Sequence, residues 1–400
     1  MNKTYIIIGT SAAGIGAFNR LRQLDTDSHI ICISQEKELP YNKCFLAEYL
    51  GKLKPIDSMY TIKQPLSPSF LLGTKVMQLV PDQKKIQLSD GQVLSYDSLF
   101  LGLGTSALRP ALPGIDAQGV FTFHTLADTI NIINYINEKT AKKAVVIGAG
   151  LSGLEAADAL LAYGLNVTIV EQKDQLLPTH FSAQASAHLE YAMKAYPVSF
   201  MPGAKVEEIQ TTNGAACGVK LSSGKELQAD LVIIAIGARP NLSLVQQCGM
   251  EIQGGGIATN EYLQTSISDI YAGGDVCQVY DQLTGSKILN GTWPDAMLQG
   301  MMAAHAMAGQ PKAYQGAAVV VSSAFFGLKF ASCGPVNSCG AEYEVFEGMT
   351  EQGYHKILLK EGRIQGFLLV GPRLTHLAVL RRLALTKEQV LGETVQKMLI

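Results

Sequence analysis

One arrangement occurs twice in this chain: strand, glycine-rich turn, helix, strand, first at Gly9 and again 139 residues later at Gly148. A turn of this kind joins a parallel strand to a helix whose N-terminal amides face an anion, so two copies predict two mononucleotide-binding α/β units in series. The second copy has every part. Ala144 to Ile147 is a continuous apolar run suited to a central parallel strand, and Gly148-Ala149-Gly150-Leu151-Ser152-Gly153 follows it. Leu154 to Tyr163 then reads as a helix closed by Gly164, and Asn166 to Val170 as a second strand ending at Glu171. The first glycine permits the turn, the second brings backbone amides to a pyrophosphate, and the third packs helix on strand. The Glu171 carboxylate is placed to bind an adenosine ribose and to repel a 2′-phosphate, which predicts NAD in preference to NADP; Lys173 weakens that preference. The competing reading is a tight strand–helix turn without a ligand.

The first copy, Gly9-Thr10-Ser11-Ala12-Ala13-Gly14, lacks the middle glycine. Its setting is the same: a strand over Thr4 to Ile8, a helix over Ile15 to Leu24 and a second strand over His29 to Ile33. Ser34 stands where the ribose-binding acid is expected, so Glu36 is the nearest candidate for that contact.

Composition narrows the class. The length of 400 residues points to two to four domains, and 47% hydrophobic against 16% charged residues describes a globular chain with large buried surfaces. A formal net charge of −2 argues against a general nucleic-acid binder. No apolar run reaches the roughly 18 residues of a membrane span, and the short apolar stretch after Met1-Asn2-Lys3-Thr4 reads as a buried strand, not a targeting segment. The seven cysteines, at 32, 44, 217, 248, 277, 333 and 339, are odd in number and contain no Cys-x-x-Cys pair, which predicts a cytoplasmic protein without a disulfide framework. Cys333 and Cys339 read as structural, and His124, His180, His188, His305, His355 and His376 lack a ligand spacing, so no metal is expected.

Three further strings carry a resemblance. They are Tyr96-Asp97-Ser98-Leu99-Phe100-Leu101-Gly102-Leu103-Gly104-Thr105, then Leu231 to Ile236 with Gly237-Ala238-Arg239-Pro240-Asn241, then Thr265-Ser266 with Ile270-Tyr271-Ala272-Gly273-Gly274-Asp275. With the two glycine turns they resemble the pyridine nucleotide–disulfide oxidoreductases, flavoproteins with two dinucleotide domains. The resemblance covers the whole chain. It implies an α/β fold of two Rossmann-like domains, for FAD and NAD, plus a small C-terminal α+β domain. The FAD domain would be split over 1–112 and 242–310, the NAD domain would span 113–241, and an interface domain would span 311–400.

On this resemblance FAD meets Gly9, Ser11, Ala12, Ala13, Gly14 and Glu36, the Gly104-Thr105 turn, and Gly274 with Asp275, whose carboxylate would hold the ribityl chain. NADH meets Gly148, Gly150, Leu151, Ser152, Gly153 and Glu171, with Gly237 and Arg239 at the crossover back to the FAD domain. Glu155 corresponds to an acid facing the stacked flavin and nicotinamide, or else simply complements the helix dipole. The helix from Pro294 to Ala308, with Thr292 as its cap, would point its positive end at the flavin pyrimidine. Trp293 either shields the ring or anchors the loop.

The segment Leu39-Pro40-Tyr41-Asn42-Lys43-Cys44-Phe45-Leu46-Ala47-Glu48-Tyr49-Leu50 resembles two subfamilies at once. Pro-Tyr-Asn-Lys is similar to rubredoxin and nitrite reductase flavoproteins, which implies that Lys43 stabilises negative charge near flavin N5. Cys44 stands where coenzyme A disulfide reductases, NADH oxidases and peroxidases keep a single redox cysteine. An adjacent ammonium and a following helix would favour its thiolate, whereas most lone cysteines are packing. The expected activity is transfer of hydride from NADH to FAD and of electrons onward to a small redox protein. The alternatives are reduction of a small disulfide, polysulfide, peroxide or oxygen through Cys44, or a flavin-based redox sensor that changes partners. Arg363, Arg373, Arg381 and Arg382 offer positive charge to an acidic carrier, or are a solvated surface. Neither a nucleic-acid nor a membrane partner is expected, and the chain reads as a monomer or a homodimer.

Overall fold

A computed structural model describes residues 2–62, 69–337 and 340–398. The chain divides into two compact units. The first combines the segment ending at Cys44 with Ile56–Ser106 and Arg239–Ala317. Its centre is a five-stranded sheet in the order Ile270–Ala272, Ser98–Leu101, Thr4–Ile8, His29–Ile33, Phe70–Leu71, with parallel pairing throughout. Tyr5, Ile6 and Ile7 on the central strand are fully buried. A strand covered on both faces explains why the sequence there is a run and not an alternation. One face packs the helices Ala12–Leu24 and Trp293–Met307, the other an apolar cluster that includes the antiparallel strands Val76–Val80 and Lys85–Leu88. Glycine lets the two helices cross backbone to backbone: a Cβ on Gly300 would lie 1.9 Å from Ala13 O, and one on Gly16 2.3 Å from Met297 O.

The second unit contains Phe45–Pro55, Ala107–Ala238 and the chain from Ala318 onward. Its parallel sheet runs Val198–Met201, Asn166–Val170, Lys143–Ile147, Leu231–Ile234, Val120–Thr122, so the strand leading into the glycine turn is again central. The helix Leu126–Lys139 is opened by a capping box between Thr125 and Asp128. The C-terminal residues form a separate antiparallel sheet, ordered Val320–Phe325, Leu328–Cys333, Arg363–Gly371, Gly353–Lys360, Glu344–Thr350, against which the helix Leu377–Thr386 packs. Glu361 at φ +53° and Gly362 at φ +70° supply the two left-handed residues that a tight hairpin turn requires. Mixed α/β architecture with two parallel sheets is therefore as the sequence predicts. No helix among the described residues is long and apolar enough to cross a membrane.

Both glycine-turn helices begin three residues earlier than their hydrophobic periodicity indicates, at Ala12 and Leu151. The reason is common to both: the last three residues of each glycine motif already form the first helical turn. The second helix is regular to Leu160, tightens into a 3-10 turn over Leu161–Tyr163 and stops at Gly164, φ +70°.

Candidate functional site

Sterics explain each turn. Gly9 has φ +100°, and a Cβ there would lie 2.0 Å from Gly102 O; one on Gly14 would lie 1.8 Å from Gly9 O. In the second turn a Cβ on Gly148 (φ +108°) would lie 2.4 Å from Ala235 O, and one on Gly153 2.0 Å from Gly148 O. The middle position is different: a Cβ on Gly150 meets nothing within 4 Å. The outer glycines are thus demanded by the fold and the middle one is not. That is why Ser11 can replace a glycine in the first turn, where it stands as the extended N-cap residue with no side-chain cap bond. The leading amides of each helix, at Ala12, Ala13 and Gly14 and at Leu151, Ser152 and Gly153, lack intrahelical acceptors by geometry.

In the first unit Glu36, Tyr41 and Lys43 meet one another, and Lys43 also acts on Asp275, more than 200 residues further on. Lys43 Nζ lies 3.2 Å from Glu36 Oε1, and Tyr41 donates to Glu36 Oε2 at 2.6 Å. Asp275 is half-buried, and burial raises its carboxyl above the usual range while the Lys43 ammonium pulls it back down. The Gly104-Thr105 turn is clamped by Asn241, which donates its backbone N–H to Gly104 O at 3.0 Å and its amide to Leu103 O at 2.9 Å. Thr292 takes the N-cap position of the Trp293–Met307 helix, but its hydroxyl makes no cap bond; its N–H donates instead to Asn290 Oδ1 at 3.1 Å. Trp293 packs against the core beneath the helix, and Pro294 is exposed in the first turn.

In the second unit Glu171 ends its strand as expected. Its oxygens accept the N–H groups of Ala149 and Lys173 at 2.8 and 2.9 Å, which fixes the carboxylate at the lip of the turn. Gly237 is exposed at φ +109°, and its carbonyl accepts from Leu108 N at 2.9 Å. Arg239, in the first unit, is exposed.

Glu155 is the residue whose surroundings sequence reasoning does not reach. Ser323, 168 residues away, donates to Glu155 Oε1 at 2.6 Å. Burial raises the Glu155 carboxyl, the Ser323 hydroxyl opposes that, and the nearby Glu48 carboxylate raises it further. Asp158, one turn on, is raised by burial and accepts Phe326 N at 2.9 Å. A carboxyl raised on folding binds its proton more tightly in the folded chain, so ionisation destabilises the fold as pH rises from the ordinary carboxylate pKa through the raised one. The Glu155→Gln protein should accordingly melt higher than wild type at about pH 8, with the gain vanishing at about pH 3.5. Thermal denaturation at the two pH values checks this; an equal difference at both would show that the charge is not the cause.

Cys44 is exposed in a 3-10 turn, Lys43–Phe45, that leads into the helix Leu46–Leu50, and its N–H donates to Asn42 Oδ1 at 3.0 Å. Cys32, Cys277 and Cys333 are buried, and burial pushes the thiols of Cys32 and Cys277 well up. Cys339 lies outside the described residues. No three His, Cys, Asp or Glu side chains cluster as a metal site among the described residues.

The residues present suit two dinucleotides: each turn presents the unpartnered leading amides of a helix, and each unit carries an acid at the end of its second strand or shortly beyond, Glu171 and Glu36. The model of the family described as pyridine nucleotide-disulphide oxidoreductase matches residues 3–310, and the chain belongs to that family. It is an FAD-dependent NAD(P)H oxidoreductase, with FAD and NADH as its cofactors. It is 32% identical to the NADH-dependent phenylglyoxylate dehydrogenase subunit epsilon of Aromatoleum evansii, over 90% of this chain and 87% of the relative. It is 30% identical to a rubredoxin-NAD(+) reductase of Pseudomonas putida, over 76% and 80%. In structure it is similar to an NAD-dependent persulfide reductase from A. fulgidus, with a TM-score of 0.90 and 26% identity over 96% of this chain and 77% of that one.

Proposed function

We propose that this cytosolic enzyme takes hydride from NADH and delivers electrons to a small acidic redox protein. Bound FAD supplies hydride acceptance and the release of electrons one at a time or in pairs. In this reading FAD lies across 1–112 and 242–310, NADH across 113–241, and 311–400 carries the face for the partner. The Gly9 turn and its helix amides hold the FAD pyrophosphate, Glu36 the adenosine ribose, Asp275 the ribityl hydroxyls, and the Gly104-Thr105 turn the edge of the site. Lys43 holds positive charge where negative charge develops. On the second turn Gly150, Leu151 and Ser152 bind the NADH pyrophosphate, Glu171 its ribose hydroxyls, and Glu155 faces the nicotinamide; Gly237 and Arg239 border the crossover.

The observation that carries this reading is the Glu36–Lys43–Asp275 cluster in the unit of the Gly9 turn, with a second turn whose outer glycines are fixed by the same sterics in the same chain. The acceptor class is supported by the name of the Pseudomonas putida relative and by four exposed arginines, at 363, 373, 381 and 382, of which Arg382 pairs with Glu388 at 2.7 Å. The exposed Cys44 beside Lys43 favours a second reading, reduction of a small persulfide or disulfide through the thiolate.

Steady-state reduction of a rubredoxin-type protein separates the two. The first reading predicts rates that fall steeply with ionic strength, fall again in Arg373→Glu and Arg381→Glu, and are unchanged in Cys44→Ser. Loss of acceptor reduction in Cys44→Ser, with the arginine variants unaffected, would favour the thiol route instead.

A further inference from the structure

At the N-terminal end of the Trp293–Met307 helix lies a buried polar network. Asn290, Asp295, Gln299 and Tyr314 are 2%, 8%, 0% and 8% exposed. Asp295 Oδ2 accepts Asn290 Nδ2 at 2.6 Å and Gln299 Nε2 at 2.7 Å, and Oδ1 accepts the Tyr314 hydroxyl at 2.6 Å. The far ends of the two amides are also bound. Asn290 Oδ1 accepts Thr292 N at 3.1 Å, and Gln299 Oε1 accepts Gly274 N at 2.7 Å. One continuous chain of hydrogen bonds therefore ties the entry of the helix to the residue before Asp275. The two stretches are adjacent: a Cβ on Gly291 would lie 3.8 Å from Asp275 Oδ2.

Two features of the network ask for more than packing. Gln299 has one orientation only, because its amide N must face a carboxylate and its carbonyl must face an N–H, so Gly274, at φ +80°, is held in a single position. Asp295 receives three donors and offers no proton, which is the bonding of an ionised carboxylate. A buried anion costs several kcal/mol unless fully bonded, and a neutral amide could serve the same three partners nearly as well. Retaining the charge therefore has an electrical consequence. A negative group in the first turn offsets part of the positive potential at the end of that helix.

We propose that Asp295 and Gln299 are positioning residues for the flavin site: Gln299 fixes the Gly274-Asp275 loop, and the buried charge of Asp295 makes the adjacent helix end less welcoming to electrons, lowering the reduction potential of the flavin. This rests on the reading that Asp275 and that helix end face FAD.

The test pairs a charge change with a geometry change, using the full-length protein. Asp295→Asn keeps the shape: the amide oxygen accepts from Asn290 and Gln299, and the amide N–H donates to a Tyr314 hydroxyl that turns round. It should bind FAD as wild type and shift the reduced-to-oxidised ratio at fixed potential about tenfold toward reduced, some +30 mV for a two-electron couple, read against reference dyes. Gln299→Met should leave the charge and release FAD about tenfold more readily. A folded Asp295→Asn protein with the wild-type potential would overturn the electrical role. Wild-type FAD retention in a folded Gln299→Met protein would overturn the positioning role; if that variant does not fold, Gln299→Asn, whose shorter amide cannot span Asp295 and Gly274 together, replaces it with the same expected and contrary results. Asp275→Ala separates the failures: if it keeps FAD at wild-type affinity, the assignment of the FAD site is what fails, and if it loses FAD while Asp295→Asn shifts nothing, only the electrical role of Asp295 does.

Discussion

The Gly153→Val protein should bind FAD normally and use NADH at about one hundredth of wild-type kcat/KM, a loss of ~2.7 kcal/mol in transition-state stabilisation. The reason is local. Even a methyl at this position would stand 2.0 Å from the Gly148 carbonyl, and that atom is backbone, which cannot swing aside. The helix Leu151–Leu160 must lift from its strand, carrying away the amides that would meet the pyrophosphate. The first turn is built separately, around Gly9 and Gly14, and is untouched. Rapid-mixing reduction of the flavin over a range of NADH concentrations, beside the FAD content of the purified protein, checks both halves. Equal loss of FAD and of NADH reduction would show that the damage is not confined to the second turn.

Asp275→Ala should have the opposite pattern, with FAD lost about 100-fold more readily on dilution while the apoprotein still binds NADH. Burial works against the Asp275 charge and Lys43 works for it, so the carboxylate is held ready at a cost that hydroxyl donors from a ligand would offset. The proposed ribityl contact supplies those donors. Equilibrium dialysis of FAD, with NADH binding measured by fluorescence, gives the two affinities. Wild-type FAD affinity in this variant would remove Asp275 from the site.

How far these sites can be read from sequence depends on the range of the interaction. The strands Thr4–Ile8, His29–Ile33 and Asn166–Val170 have the bounds their apolar runs indicate, because a strand buried on both faces writes its length directly into composition. The glycine turns are legible for the same reason: a Cβ at Gly9, Gly14, Gly148 or Gly153 collides with backbone a few residues away or on a neighbouring strand. The absent middle glycine at Ser11 reads as a defect and is not one, since that position carries no steric demand from the fold. The helix starts lie three residues ahead of the periodicity because it begins only after the motif has already entered the helix.

Side-chain partnerships across long separations leave no local trace. Ser323 reaches Glu155 from a sheet that begins at Val320, and no spacing rule connects the two. Gln299 sits among apolar helix residues and reads as an ordinary polar substitution until Gly274 is seen to need its carbonyl. Asp295 directly follows Pro294 in the first turn of its helix, yet its three donors come from loop, helix and a residue 19 positions on. Lys43 is expected near negative charge; its pairing with Glu36, outside the reach of helical neighbour spacing, follows from the loop that folds between them.

If one chain carries a hydride donor's site and a flavin joined in function, an anaerobic titration of the purified protein with NADH reads that link without intermediates. The visible spectrum of the flavin is followed in wild type and in Cys44→Ser. One equivalent of NADH per FAD should bleach the flavin fully, in both proteins alike. A flavin that NADH leaves oxidised would break the link between the two sites, and a second equivalent taken up by wild type alone, spent on reducing a mixed disulfide or sulfenic acid carried on Cys44 as purified, would move the electrons' exit from a protein partner to Cys44.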